Sequence, residues 1–321
     1  MQKFNQPGKI ILVGGSGFIG YHLLKYGESN YFNMLPLFNS KSLPNALKFN
    51  MLTDDLGETI GGINDSDVVI LLAAYSDQSW ISHNIKESRE LNVIATIKLI
   101  STIKKTGAFL IYLSSEAVFG INTKMGWIEN DETSPISEYG KQKLEVENYI
   151  NEIKFGAIVR TGWVIGWEYS NRCPIVQTYN ILLNKEPKIA KDNFLTFTDV
   201  NDLVKAIFRL IEIRVNKTFH FVSNSKISRV TIADTILSTS KNIKLNTYQL
   251  VLFNSFFTNE KRCGGSWLKP SDLSLSLCAD FSDPLSILAN KIVLLTDRKF
   301  KPLRTCTSYT LPPQLSTNTL R

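Results

Sequence analysis

Three glycines at intervals of three, Gly14, Gly17 and Gly20, follow an unbroken apolar run, Ile10-Ile11-Leu12-Val13, and this junction constrains the chain more than any other stretch. Four apolar residues without polar alternation fit a short strand buried on both faces of a parallel sheet. Glycines then allow a tight turn into a helix carrying Phe18, Ile19, Leu23 and Leu24. Such a helix aims its first amide hydrogens, and the positive end of its dipole, at the turn. A pyrophosphate suits that place. Glycine-rich turns also form without a ligand, so these residues alone leave a purely structural turn open.

Strand and helix alternate through the first half of the chain. Asn33 to Phe38 reads as a second strand, although Pro36 is awkward inside a sheet. Asp67 to Ala74 is a further buried strand, ending in small residues that let a backbone approach a flat ligand. Asn92 to Lys105 places Val93, Ile97, Ile100 and Ile103 at helical spacing, while Phe109 to Leu113 and Phe155 to Val159 read as strands. The expected fold class is α/β, a Rossmann-like doubly wound parallel sheet with a smaller C-terminal substrate-binding domain.

Beyond Gly166 the pattern is less regular, with helices expected at Pro174 to Leu183 and Asp202 to Ile213 and a strand at Thr218 to Val222. The expected layout is an NAD(P)-binding domain over residues 1–165 and a substrate-binding region over 166–280, whose segment 197–222 packs back on the sheet. Residues 281–321 form a tail of no assigned role, and Ser308 to Arg321, rich in Thr, Ser, Leu and Pro, reads as disordered or mobile.

Cofactor choice turns on the end of the second strand. A carboxylate roughly 20 positions beyond the glycines bonds the adenosine ribose of NAD, whereas a basic group there accommodates the 2′-phosphate of NADP. The chain offers Asn39, Ser40 and Lys41. One ammonium and no carboxylate favour NADP, with NAD as the alternative, unless Lys41 is simply a solvated loop lysine.

Tyr139 and Lys143 stand one helical turn apart at the start of Glu138 to Ile153, whose Val146, Tyr149, Ile150 and Ile153 keep a helical spacing. A lysine cation beside a phenol stabilises the phenolate and draws its pKa from ~10 toward neutrality, as a general acid/base requires. An ordinary exposed pair would have the same spacing. Upstream, Leu113-Ser114-Ser115-Glu116-Ala117-Val118-Phe119-Gly120 sets hydroxyls just after a buried strand, at the sheet edge where ligands bind. Ser115 there either hydrogen-bonds a reacting oxygen or merely caps the strand.

Four segments recur together: Gly14-x-x-Gly17-x-x-Gly20, Ser114-Ser115-x-x-Val118-Phe119-Gly120, Ser134-Pro135-x-x-x-Tyr139-Gly140-x-x-Lys143 and Arg160-Thr161-x-Trp163-Val164-x-Gly166. In order and spacing they resemble the extended short-chain dehydrogenase/reductases, and within these the dTDP-4-dehydrorhamnose reductase and NAD-dependent epimerase/dehydratase branch. The likeness covers about residues 9–240, with a fainter match at Leu268 to Leu275. The resemblance implies Tyr139 as acid/base, Lys143 as the group that holds the nicotinamide ribose and lowers the tyrosine pKa, and Ser115 as the group orienting the reacting oxygen. It implies cofactor contacts from Gly14, Gly17, Phe18, Ile19 and Gly20 and from Ala73 and Ala74, beside Tyr139 and Lys143; Ser16 in the glycine turn and Asn39, Ser40 and Lys41 beyond the second strand complete the expected cofactor site. Asn92 matches a family asparagine, and Phe197 to Asp202 matches the stretch that returns to the sheet.

Three departures narrow that resemblance. Dehydratases carry an Asp-Glu pair after the hydroxyl, where this chain has Glu116 and Ala117, so dehydration is not expected. Asn50 stands where relatives have an aspartate near the adenine, and Leu72-Ala73-Ala74 replaces Asn-Ala-Ala. Three functions remain as alternatives: reduction of a nucleotide-linked keto-sugar, 4-epimerisation of a sugar nucleotide with NAD, and a non-catalytic NADP-binding regulatory subunit. The resemblance also implies a homodimer.

Composition closes off other classes. A net charge of +7 without a long basic run gives no nucleic-acid signature. Cys173, Cys263, Cys278 and Cys306 lie far apart, and His22, His83 and His220 lack ligand spacing, so no metal site is expected. The residues show no membrane helix and no signal segment, and a cytoplasmic location is expected. Trp127, Trp163 and Trp167 can stack on a base or sugar or serve as core or lid, and Glu129, Asp131 and Glu132 read as a solvated loop.

Overall fold

The computed structural model describes residues 7–121, 126–166, 173–223, 226–239, 245–257, 260, 262–270 and 292. The expectations for Trp167, Cys278, Cys306, the end of the fainter match and the tail at 308–321 lie outside the described residues.

In chain order the strands are β1 (Ile10–Val13), β2 (Met34–Phe38), β3 (Leu47–Lys48), β4 (Val68–Leu71), β5 (Phe109–Ser115), β6 (Ala157–Thr161), β7 (Trp163–Ile165), β8 (Lys188–Ala190), β9 (Phe194–Asp199), β10 (Thr218–Phe221), β11 (Lys226–Ser228) and β12 (Gln249–Val251). The α-helices are α1 (Phe18–Ser29), α2 (Leu56–Ile60), α3 (Gln78–His83), α4 (Ile85–Arg89), α5 (Thr96–Thr106), α6 (Glu138–Glu152), α7 (Pro174–Leu182), α8 (Val200–Ile213) and α9 (Arg229–Thr239), with a π-helical turn at Glu90–Ala95 leading into α5.

Seven strands form one sheet in the order β10-β6-β5-β4-β1-β2-β3, and every pairing in it is parallel. From β1 the chain works outward to β3, then returns past β1 to β4 and builds the other half. The strand order therefore reverses between β1 and β4, and such a reversal opens a crevice at the carboxyl ends of those two strands. Leu23 and Leu24 of α1 and Leu203, Ile207 and Leu210 of α8 cover one face. Leu99, Ile100 and Ile103 of α5 and Val146 and Ile150 of α6 cover the other. Covered on both sides, β1 and β4 are fully buried, which is why their sequences carry no polar alternation.

Local chemistry sets the boundaries. Pro36 pairs with Leu12 of β1, while β3 joins β2 only at Leu37 and Phe38, so the missing proline N–H costs no bond on that side. The strand expected at Phe155 to Val159 begins two residues later, because Lys154 and Gly156 hold positive φ of 49° and 93° and turn the chain before it extends. The strand expected to reach Ala74 stops at Leu71. Helix α8 starts earlier than its apolar periodicity suggests, since Asp199 caps it by accepting from the Asn201 amide at 2.8 Å.

The irregular second half holds a three-stranded sheet, β11-β9-β7, and a β12-β8 pair. These pack with α7 and α9 around Ile165, Ile175, Phe197, Ile227, Ile232 and Ile236. Strand β9 runs into α8, whose apolar face returns to the main sheet, and β10 then extends that sheet beside β6.

Helix α6 approaches the end of β5 closely. Ser137 caps it by accepting from the Gly140 amide at 3.1 Å. A Cβ at Gly140 would fall on the Ala117 carbonyl oxygen, so only glycine lets the helix sit there. Gly140→Ala sets two effects against each other: alanine favours the helix by ~1 kcal/mol, and the overlap costs ~1–3 kcal/mol. The overlap wins, and the urea midpoint of the variant falls; an unchanged or higher midpoint would refute this account of the approach.

Candidate active site

The glycine turn lies at the crevice. Gly14 takes φ +93°, and a Cβ there would stand 2.8 Å from the Ala73 amide nitrogen, so the turn can lie against the end of β4 only without a side chain. Gly17 caps α1 and is exposed, with its amide donating to Gly14 O at 3.0 Å. The first turn of the helix begins with the Tyr21 amide donating to Gly17 O, which leaves the amides of Phe18, Ile19 and Gly20 facing the turn beside half-buried Ser16.

Across the crevice the amides of Leu72 and Ala73 both donate to Val13 O at 3.0 Å, bending the chain after β4 so that Ala73 and Ala74 pass beside the turn, both half-buried. Asn92, buried in the π-helical turn, fixes the loop at Tyr75. Its Oδ1 accepts from the Tyr75 amide at 2.8 Å, and its Nδ2 donates to Tyr75 O at 3.0 Å and to Gln142 Oε1 at 2.8 Å. The resemblance marked this asparagine only as a match to a family residue; the structure gives it the shaping of the loop. Asn39, Ser40 and Lys41 lie exposed just beyond β2. Asn50 closes a surface turn with Asp54, accepting from the Leu52 amide at 3.1 Å.

Tyr139 and Lys143 occupy one face of α6, as their spacing predicts. Lys143 is 5% exposed, and its Nζ donates to Leu113 O at 2.9 Å. The ammonium lies between two phenol rings, 4.7 Å from the Tyr112 centroid and 5.8 Å from that of Tyr139. Burial lowers its pKa to about 8, against the opposing pull of the Glu147 carboxylate. Burial also pushes the Tyr112 phenol well above its ordinary value. The Tyr112 hydroxyl and the neighbouring Ser114 Oγ are buried without a hydrogen-bond partner among the described residues. Orphaned polar atoms here, and a glycine cradle at β1, fit a polar ligand laid along the carboxyl edge of the sheet.

Ser115 ends β5 half-buried. Its Oγ accepts from the Ala117 amide at 3.2 Å and donates to Glu116 Oε2 at 3.4 Å, so it does cap a turn, and it stands at the strand edge as well. Glu116 is the group whose importance the local sequence does not convey. It joins Gln78, Ser137, Trp163, Cys263 and Ser266 in the wall of a pocket, and Ser266 Oγ donates to its backbone oxygen at 3.1 Å. The residue is half-buried but its carboxyl is desolvated, which raises its pKa to about 7. A partner 150 positions away has no local motif to announce it.

Other expectations resolve differently. Trp127 stacks on Phe119 at 5.1 Å and belongs to a core cluster, whereas Trp163 lines the pocket. Glu129 is not a solvated loop residue: its Oε1 accepts from the His220 amide at 3.0 Å and its backbone oxygen from Arg160 at 3.2 Å, because β10 runs beneath it. His220 is fully buried and His83 lies exposed on α3. Among the described residues no helix is long and apolar enough to cross a membrane, and no group of three or more His, Cys, Asp or Glu could hold a metal ion.

The family model for the RmlD substrate binding domain matches residues 8–277. The methionine adenosyltransferase 2 subunit beta of Danio rerio is 30% identical over 143 residues, which is 44% of this chain and 43% of that protein. The chain spans about half the length of the curated relatives it matches. A solved dTDP-4-dehydrorhamnose reductase of Clostridium acetobutylicum superposes with a TM-score of 0.74 at 22% identity, covering 90% of this chain and 99% of that one. Another, from Bacillus anthracis in complex with NADP, gives 0.71 at 23% identity over 84% and 93% of the two chains. At these identities the two structures establish the fold.

Glu116 makes stability depend on pH. Its folded pKa of about 7 exceeds the ordinary 4.5, so the native state holds the proton more tightly. The resulting stabilisation is complete below pH 4.5 and is lost as pH rises through about 7, amounting to ~3 kcal/mol. Urea unfolding at pH 5 and pH 8 measures it. Glu116→Gln flattens that dependence, and an equal fall in both proteins would show that the carboxyl is not desolvated.

Proposed function

The chain belongs to the RmlD substrate binding domain family, and from that membership we propose an NAD(P)-dependent oxidoreductase of nucleotide-linked sugars that reduces a keto-sugar, as a dTDP-4-dehydrorhamnose reductase does. The observation that carries this reading is the buried Lys143 ammonium beside the Tyr139 ring at the carboxyl end of β5. Residues 1–165 hold the cofactor and 166–280 contribute to the sugar side, with Glu116 and Trp163 in the wall between them.

The turn from Gly14 to Gly20, with Ser16, Phe18 and Ile19, receives the pyrophosphate on the amides of α1. Ala73 and Ala74 line the crevice, Asn39, Ser40 and Lys41 meet the adenosine ribose, and Lys143 meets the nicotinamide ribose. A bound nicotinamide dinucleotide supplies the hydride. Tyr139 gives its proton to the substrate oxygen as that oxygen gains negative charge. Lys143 lowers the cost of leaving a phenolate behind, and Ser115 donates a hydrogen bond to the same oxygen. Lys41 and the absence of a carboxylate beyond β2 favour NADP, the cofactor present in the Bacillus anthracis structure.

A second reading, an NADP-binding regulatory subunit, is favoured by the relatives that are methionine adenosyltransferase beta subunits. Conversion of NADPH in the presence of dTDP- and UDP-linked keto-sugars, followed by nicotinamide absorbance, separates the two. Tyr139→Phe lowers kcat by ~10²-fold or more while dinucleotide binding stays within about twofold. Wild-type protein that binds NADPH yet turns over no keto-sugar nucleotide favours the regulatory reading. Lys41→Ala weakens NADPH and spares NADH; equal loss for both would remove Lys41 from the cofactor site.

A further inference from the structure

We propose that Glu147 is a positioning residue for Lys143: anchored by Arg160, its carboxylate stands one helical turn beyond the lysine and keeps the ammonium charged inside the protein. This deepens the reading above and rests on it for the role of Lys143.

The buried ammonium has partial charges around it. Leu113 O accepts one hydrogen bond, and the rings of Tyr112 on β5 and Tyr139 on α6 present their faces. Asn92, from the π-helical turn packed alongside, and Gln142, on α6 itself, bond each other and are neutral. Among the described residues the carboxylate whose charge bears on Lys143 is that of Glu147. An isolated ammonium in such a place would lose its proton.

Glu147 is itself fully buried, and so is nearly all of Arg160, at 0% and 5% exposure. Arg160 Nε donates to both carboxylate oxygens at 3.1 Å and Nη2 to Oε2 at 2.7 Å. The guanidinium is held from the far side. Its Nη1 donates to Glu129 O at 3.2 Å and lies 3.3 Å from His220 Nε2, and its carbon sits 4.9 Å from the Phe119 ring centre. With His220 Nδ1 donating to Lys269 O at 3.0 Å, Nε2 is left to accept from Arg160. Burial lowers the pKa of His220 to about 4, so the imidazole is neutral and does not compete for the carboxylate. A buried ion pair adds little net stability compared with apolar residues of the same size. The carboxylate of this pair lies one turn from Lys143 on the same helix, both side chains buried, and its charge opposes the desolvation that lowers Lys143 to about 8.

The test titrates Lys143 in the full chain by pulse acetylation across pH, read by peptide mass spectrometry. The variants are Glu147→Gln, Glu147→Asp and the double change Glu147→Gln with Arg160→Met. Loss of the carboxylate lowers the Lys143 midpoint by about one pH unit in Glu147→Gln and in the double variant, and Glu147→Asp restores it. The double variant removes both buried charges, so it carries the test if Glu147→Gln alone does not fold. An unchanged midpoint in a folded variant, or loss of the fold in both, assigns the pair to stability alone and overturns the proposal. The alkaline limb of NADPH turnover should move with the midpoint. Absence of turnover in the wild type would sink the functional reading, while the lysine titration would still decide the role of Glu147.

Discussion

The site depends on one ammonium being held inside the protein. Lys143 Nζ donates to the carbonyl of Leu113, and that bond joins α6 to β5 near the strand's carboxyl end. The reach is possible because Gly140 lets the helix settle against Ala117, and because Ser137 caps the first turn at that height. The chemistry of the face and the packing of the helix are therefore one constraint. A side chain at Gly140 would move Tyr139 and Lys143 away from β5 together.

The sheet supplies the second constraint. Its strand order reverses between β1 and β4, so the loops leaving those strands diverge and leave a crevice, while the carboxyl ends of β2 and β5 flank it. Groups more than a hundred positions apart in the chain, such as Gly14 and Lys143, thus share one edge. The second half of the chain closes the far side without adding to the main sheet except at β10. Ser266, by bonding the backbone of Glu116, and Cys263 bring the C-terminal segment to the pocket.

Much of this was legible in the residues. The uniform burial of β1 and β4 follows from their apolar runs, and Tyr139 and Lys143 share a face because one helical turn separates them. Strand and helix limits were less legible, since they are set by features that periodicity ignores: positive φ at Lys154 and Gly156, and the aspartate cap before α8. The three-residue strands of the second half carry too few positions to show a period, and their pairing is settled by tertiary contact. Glu129 misled because a charged loop residue looks solvated until the strand beneath it, β10, is in place. Glu147 and Arg160 escaped for the same reason. Each is an ordinary charged residue in its own segment, and only the packing of α6 on β6 makes them a pair.

Desolvation acts on both signs of charge in this site, and that shapes what the face can do. It raises the Glu116 carboxyl to about 7 and lowers the Lys143 ammonium to about 8, so near neutrality the acid is divided between its two forms while the amine still carries its proton. A protonated carboxyl at Glu116 can donate as well as accept a hydrogen bond. The negative charge that sustains the lysine comes from behind, from Glu147, where it cannot meet a ligand. In the proposed reaction, separating the supporting charge from the working face would let one ammonium act on a phenol and a ligand without being neutralised by either.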